Sequence, residues 1–123
     1  MSRPLYQVKA DFFKTLGHPA RIRVLELLSE DEQAVSEMLP EVGVEAANLS
    51  QHLAVLRRAG LVVTRKEGAT VFYSLTSPHI AELLTVARRI LTGVLAGQAD
   101  LLEDLRIATS EAESRTRRES PPA

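Results

Sequence analysis

Amide, hydroxyl and arginine side chains share one face of a helix predicted over residues 45–58. This face carries Asn48, Gln51 and Arg58 together with the alanines Ala47 and Ala54, and Ser50 and Arg57 lie on its flank. Amides and hydroxyls exchange hydrogen bonds with base edges in the major groove of DNA, and arginines reach guanine or phosphate. The face therefore suits DNA binding, although a solvated helix surface could have the same composition.

The opposite face of this helix is apolar and must rest on a core. Its apolar residues recur at helical spacing, and they are Ala46, Leu49, Leu53 and Leu56. Upstream, a short segment over 34–39 is broken at Pro40, and Gly43 follows in a turn. A short helix, a glycine-containing turn and a polar-faced helix predict a helix-turn-helix, whose second helix lies in the groove.

A hairpin is predicted over residues 61–75, directly after this helix. Two runs rich in β-branched and aromatic residues are separated there by a turn that contains glycine. Arg65 and Lys66 make its tip cationic, where a wing touches DNA, and Thr70 opens the second run as a further DNA-binding residue. A helix-turn-helix followed at once by a basic hairpin is the winged-helix order, which favours DNA binding over simple solvation.

Two helices are predicted before the helix-turn-helix. The first ends near Gly17 in a left-handed cap, and its apolar residues are Leu5, Val8, Phe12, Phe13 and Leu16. His18 precedes Pro19 and is expected to be the N-cap of the second helix, over 19–28. A metal-binding role for His18 is disfavoured, since no second histidine follows at i+3 or i+4.

A long helix is predicted from Pro78 to about Ile107. Its apolar stripe comprises Ile80, Leu83, Leu84, Ala87, Ile90, Leu91, Val94, Leu95, Leu101, Leu102 and Leu105. About 28 residues would span roughly 42 Å, longer than the domain, so part of the stripe is expected to pack on a second subunit. Residues 109–123 are rich in Ser, Glu, Arg and Pro and are predicted to be a disordered tail, beyond one domain over 1–108.

Composition excludes several classes of site. The chain has no cysteine, which rules out disulfides, thiolate metal sites and a cysteine nucleophile. The absence of a Ser-His-Asp set, paired carboxylates or a phosphate-binding glycine loop predicts that the protein is not an enzyme. No apolar run approaches the roughly 18 residues of a membrane span, so a cytoplasmic location without a membrane partner is expected. The net charge is −1, but residues 45–67 hold four cations and two anions.

The chain resembles the arsenical-resistance repressor (ArsR) family of winged-helix metal and stress sensors. Three stretches carry the resemblance: FFKTLGHPARIRVLELL, VEAANLSQHLAVLRRAGLV and RKEGATVFYSL. It implies a mostly α fold with a small β-hairpin, in the order α-α-α-α-β-β-α, and a homodimer through the first and last helices that binds an inverted repeat. Asn48, Ser50 and Gln51 match positions that carry base or nearby contacts in the family. Ala46 and Ala47 replace polar residues, so contact there would be apolar, as with a thymine methyl.

The chain departs from this family at the positions that bind effector metals. On the last helix His79 fits the ligand histidine, but Ser77 replaces an aspartate, and Ile90 and Gly93 lie where partner ligands are expected. His79 with Glu82 is the remaining metal candidate, and a capping or surface histidine is favoured over it. No cofactor is therefore identified. His52, on the recognition helix, is expected to contact a phosphate or a neighbouring side chain.

These patterns predict a dimeric, sequence-specific transcription regulator, a repressor, that binds a double-stranded DNA operator. The helix over 45–58 would read the bases and the hairpin over 61–75 would contact the backbone. Two alternatives stay open: a winged-helix module that binds a protein partner, and a regulator controlled by a protein co-regulator in place of a metal. The two alanines and the small net basicity of the surface leave room for the alternatives.

Overall fold

The computed structural model describes residues 2–119 and the side chains of residues 2–117. Within that range the elements are α1 (Leu5–Leu16), α2 (Pro19–Glu30), β1 (Gln33–Ala34), α3 (Val35–Val42), α4 (Ala46–Arg58), β2 (Val62–Glu67), β3 (Thr70–Leu75) and α5 (Pro78–Glu119). The predicted order of helices and hairpin is confirmed. Strand β1 is an addition, because two residues are too few to show a period in the sequence.

The three strands form one antiparallel sheet in the order β1-β3-β2. The β2–β3 hairpin closes through Gly68 and Ala69, and Gly68 has φ 61°, a left-handed value that glycine adopts without strain. Pairing of β1 with β3 ends at Ala34 opposite Phe72, while β2 and β3 remain paired out to Glu67 and Thr70. The sheet is therefore three-stranded at its base and two-stranded at the tip of the wing.

The core lies between α2, α3, α4 and the sheet. Leu49, Leu53 and Leu56 of α4 are fully buried in it, as predicted. They pack among Val24, Leu25, Leu28, Met38 and Val62. Ala46, expected to belong to the same stripe, is exposed because it lies in the first turn of α4, beyond the edge of the core.

The helix boundaries follow local capping chemistry with two corrections. The N–H of Ala20 donates to Nδ1 of His18 at 3.2 Å, which confirms the predicted N-cap. Gly17 has φ −74°, so the predicted left-handed cap is wrong. A Cβ there would lie 3.3 Å from the carbonyl oxygen of Phe13, so glycine relieves a close approach. Pro40 lies inside α3, which continues to Val42 and closes at Gly43 with φ 75°.

Helix α5 is longer than predicted. It runs through Gly93 and Gly97 to Glu119, so residues 109–119, predicted to be disordered, are helical. Extending an existing helix is much easier than starting one, and the Ala, Glu and Arg residues of this segment have good helix propensity. The part of the prediction that concerns residues 120–123 lies outside the described residues.

Contacts divide the chain into two compact units, with the boundary between Leu84 and Thr85, inside α5. In the first unit, Ile80 is buried and Leu83 and Leu84 pack against the core. In the second unit the apolar side chains of α5 are exposed, from Val86 to Ile107. Over residues 2–119, no helix has the length and apolar content needed to cross a membrane.

Candidate nucleic-acid interface

The polar face of α4 is exposed, and its side chains are free to bind. Ala47, Asn48, Ser50 and Gln51 are all exposed in the first half of the helix. The helix that carries them is held in place by its opposite face, where Leu49 and Leu53 are buried in the core. Among residues 2–117, the side chains of Asn48, Ser50 and Gln51 have no hydrogen-bond partner. Their donors and acceptors are therefore available to a ligand.

Two arginines extend this face at the end of the helix. Arg57 and Arg58 lie in the last turn of α4, where positive charge also suits the helix dipole. Both are exposed, and neither side chain has a carboxylate partner within the described part of the chain. The predicted face is thus intact, with amides and hydroxyls first and free cations after them.

His52 anchors the side of α4 to the start of α2. Its Nδ1 accepts a hydrogen bond from Nε of Arg21 at 3.2 Å, and its ring lies 4.2 Å from that of His18. Nη1 of Arg21 also donates to the carbonyl of Thr15 at 3.2 Å. The cluster thus joins the end of α1, the start of α2 and the flank of α4.

The same surroundings favour the neutral form of the His52 imidazole. Burial lowers the pKa of His52, and the charges of His18 and Arg21 lower it further. A contact of His52 with a neighbouring side chain was one of the two outcomes predicted, and it is confirmed. Sequence patterns gave no sign of Arg21 as its partner, because the two residues are 31 positions apart.

The wing presents one free cation and one paired cation. Lys66 is exposed without a carboxylate partner among residues 2–117, and Thr70 is exposed at the start of β3. Arg65, in contrast, forms ion pairs with Glu32 and Glu67. Its hydrogen bonds hold the pKa of the Glu32 carboxyl below its usual range, and the two carboxylates raise the pKa of the Arg65 guanidinium. Of the two cations predicted to bind DNA at the tip, Arg65 is therefore engaged by carboxylates of the same chain.

Glu32 is the partner that sequence reasoning missed. It lies in the acidic connector between α2 and β1, 33 residues before Arg65. Charge complementarity between an acidic connector and a basic hairpin is the one signal that could have indicated it. That signal does not choose among Glu30, Asp31 and Glu32.

The metal candidate at the start of α5 is a surface pair. Nδ1 of His79 lies 3.1 Å from Oε2 of Glu82, and both side chains are exposed. The N–H of His79 donates to Oγ of Ser77, which thereby caps α5. No three His, Asp or Glu side chains among residues 2–117 are grouped so that they could hold a metal ion together. Two neighbouring donors do not make the ligand set that zinc or nickel requires.

Known proteins match the chain across this surface and beyond it. A family profile described as a helix-turn-helix domain matches residues 16–65, from the end of α1 into β2. The HTH-type transcriptional regulator Rv0081 of Mycobacterium tuberculosis is 56% identical over 110 residues, which are 89% of this chain and 96% of that protein. Its crystal structure superposes with a TM-score of 0.74 and covers 80% of this chain and 99% of that chain.

Two further solved structures have the same architecture. The transcriptional repressor BigR of Xylella fastidiosa is 35% identical, with a TM-score of 0.62, covering 73% of this chain and 96% of that one. The homodimeric winged helix-turn-helix DNA-binding domain of Mb0332 from Mycobacterium bovis, a candidate ArsR-family regulator, is 27% identical. Its TM-score is 0.67, and the match covers 74% of this chain and 84% of that one.

Proposed function

The chain belongs to the ArsR family of winged helix-turn-helix transcriptional regulators, and we propose that it acts as a homodimeric repressor of an inverted-repeat operator. Proteins of this family bind DNA and regulate transcription, and they are not enzymes. The observation that carries the proposal is the exposed face of α4, whose amides, hydroxyl and arginines have no side-chain partner among residues 2–117 and lie opposite a fully buried apolar stripe. Acting on genomic DNA also agrees with the cytoplasmic location predicted from the sequence.

Within the proposed complex, α4 lies in the major groove and reads bases with its first two turns. Asn48, Ser50 and Gln51 form hydrogen bonds with base edges, and Ala47 contacts a thymine methyl. The cations and the hydroxyl at the periphery position the protein on phosphates; these residues are Arg57, Arg58, Lys66 and Thr70. Because few of these side chains reach bases, part of the sequence preference comes from DNA shape.

A second copy of the chain covers the exposed apolar side chains of α1 and α5. On α1 these are Leu5, Tyr6, Val8 and Phe13, and on α5 they include Ile90, Leu91, Val94, Leu95, Leu101 and Leu102. Large apolar side chains exposed in this number are typical of a surface that binds another protein. The homodimeric state of Mb0332 supports the same arrangement here. A two-fold axis would then present two α4 helices to successive major grooves about 34 Å apart.

Fluorescence anisotropy with the purified full chain tests the proposal. The duplex upstream of its own gene is titrated against a random duplex of equal length, both at physiological salt. We expect the upstream duplex to bind about a thousandfold more tightly, the lower end of the usual preference for specific sites. Equal affinity for the two duplexes would contradict the proposal. A stoichiometric protein partner that co-purifies with a chain lacking DNA affinity would favour the protein-binding alternative.

A further inference from the structure

Arg65 is held by groups on three sides, although it lies on an exposed strand. Its Nε donates to Oε2 of Glu32 at 2.8 Å, and Nη2 donates to the second oxygen of the same carboxylate. Nη1 donates to Glu67 at 2.8 Å, and the guanidinium carbon lies 4.7 Å from the centre of the Phe72 ring. A two-pronged pair of this kind fixes both position and orientation. We call Arg65, Glu32, Glu67 and Phe72 the wing brace.

The brace crosses the whole sheet. Arg65 lies on β2, Phe72 lies opposite it on the central strand β3, and Glu32 immediately precedes β1 at the other edge. Neighbouring strands are about 4.8 Å apart, so the side chains of Arg65 and Glu32 together span roughly two strand spacings. The Phe72 ring supports it on the way, since an arginine packs well on an aromatic face. One side chain thus links the outer strand of the wing to the connector that follows α2.

The position of the brace gives it a mechanical role. Phe72 is the last β3 residue paired with β1, and beyond it residues 66–71 form a two-stranded hairpin. Isolated two-stranded hairpins are only marginally stable in water, so the direction of this tip is set mainly at its base. Arg65 and Phe72 of the brace face each other at that base, in the row where the sheet changes from three strands to two.

The charges of the brace argue against a direct phosphate contact by Arg65. Two carboxylates face one guanidinium, so the group as a whole offers no surplus positive charge to DNA. Lys66, the next residue, has no carboxylate partner in the described part of the chain. Lys66 is therefore available to bind a phosphate, whereas Arg65 is engaged by carboxylates of its own chain.

We propose that Arg65 is a positioning residue, which holds the wing in its DNA-contacting direction through Glu32, and that Lys66 makes the phosphate contact. The proposal rests on the proposed DNA-binding function. It has a counterintuitive consequence: Glu32, an acid close to the DNA-binding surface, increases affinity for DNA. A free acid at the same place would lower it.

Glu32→Gln and Glu30→Gln form a matched pair for the test. Glu30 ends α2 two residues earlier, is exposed and has no partner among the described side chains, so its replacement changes charge alone. Affinity for the upstream duplex is measured over a range of salt. We expect Glu32→Gln to bind about three- to five-fold more weakly than Glu30→Gln, the effect of two exposed ion-pair networks, one in each subunit. Its salt dependence should equal that of the native chain.

Arg65→Lys and Lys66→Gln separate geometry from charge. Arg65→Lys keeps the positive charge but cannot form the two-pronged pair, so it should weaken binding about as much as Glu32→Gln. Lys66→Gln removes one phosphate contact from each subunit and should lower the slope of log K against log salt by about 1.8 for the dimer, or about 0.9 for each contact. Thermal unfolding of each variant verifies that it is folded before its affinity is compared.

Two results would overturn the proposal. In one, Glu32→Gln binds as tightly as Glu30→Gln or more tightly. In the other, Arg65→Lys binds like the native chain while Arg65→Gln lowers the salt slope of the dimer by about 1.8, which would make Arg65 a phosphate contact in each subunit. If the native chain and Glu30→Gln both fail to bind DNA, the proposed function fails instead. Amide hydrogen exchange then still tests the brace. If the brace holds the wing, residues 66–71 exchange faster in Glu32→Gln than in Glu30→Gln.

Discussion

Helices α4 and α5 both carry leucines at helical spacing, yet one helix hides them and the other displays them. Leu49, Leu53 and Leu56 of α4 are at most 1% exposed, whereas Leu91 and Leu102 of α5 are 58% and 68% exposed. A hydrophobic period therefore indicates that a face will be covered, but it does not say by which chain. In α4 the cover is the core of the same unit, and for α5 we propose a second copy.

Replacing Leu53 should have the largest effect on stability, because this leucine belongs to the buried stripe of α4. Leu53→Ala removes three side-chain carbon atoms from a packed core and should lower the free energy of unfolding by about 2–5 kcal/mol. Leu91→Ala is the matched control on the exposed stripe. Urea unfolding is measured at protein concentrations below the dissociation constant of the dimer, where the chain is monomeric. There Leu91→Ala should lower the free energy of unfolding much less than Leu53→Ala. Equal losses in the two variants would show that α5 is packed within its own subunit.

Leu91→Asp tests whether a second copy of the chain packs on the exposed apolar stripe of α5. Each dimer would bury two carboxylates without partners, so the dissociation constant should rise about a hundredfold, or about 2.7 kcal/mol. Thr92→Asp introduces the same charge in the same turn, about 100° around the helix, and should leave the dimer intact. Sedimentation velocity over a dilution series measures both. A Leu91→Asp chain that sediments like the native one would exclude this stripe from the interface.

The two helices also show what sequence alone can establish. The apolar stripe of α4, the His18 cap, the Gly43 turn and the hairpin were predictable because each depends on residues within a few positions of one another. Strand β1, the Arg65–Glu32 pair and the Arg21–His52 bond depend on contacts about 30 to 40 positions apart, which leave no local period. Pro40 and the end of α5 were misjudged for another reason. Propensity is a weak constraint on residues that extend a helix already formed.

The exposed face of α4 provides a third test. Gln51→Ala should weaken binding to the upstream duplex by about 1–3 kcal/mol while leaving affinity for random DNA nearly unchanged, because the amide is proposed to read a base edge. Lys66→Gln is the comparison, since loss of a phosphate contact should weaken both duplexes alike. Equal effects of Gln51→Ala on the two duplexes would remove Gln51 from the proposed readout.

The smallest effect concerns His52, the one polar side chain of α4 that turns inward. Burial holds its pKa below the 6.5 of an unperturbed imidazole, with further lowering by His18 and Arg21, which both face its ring. As pH falls, the unfolded chain therefore takes up the proton before the folded chain does. The stability that neutral His52 contributes is complete above pH 6.5 and is lost as pH falls below that value, until the folded chain is protonated as well.

His52→Gln should flatten this dependence, since a glutamine oxygen can still accept the hydrogen bond from Arg21 but does not titrate. Urea unfolding at pH 7.5 and pH 5.5 should show a larger loss of stability for the native chain than for His52→Gln. His79→Gln is the control, because that histidine has an 82% exposed side chain and lies outside the cluster. It should behave like the native chain. A pH dependence that survives in His52→Gln would assign the titration to another group, and His52 would then contribute to α4 by packing alone.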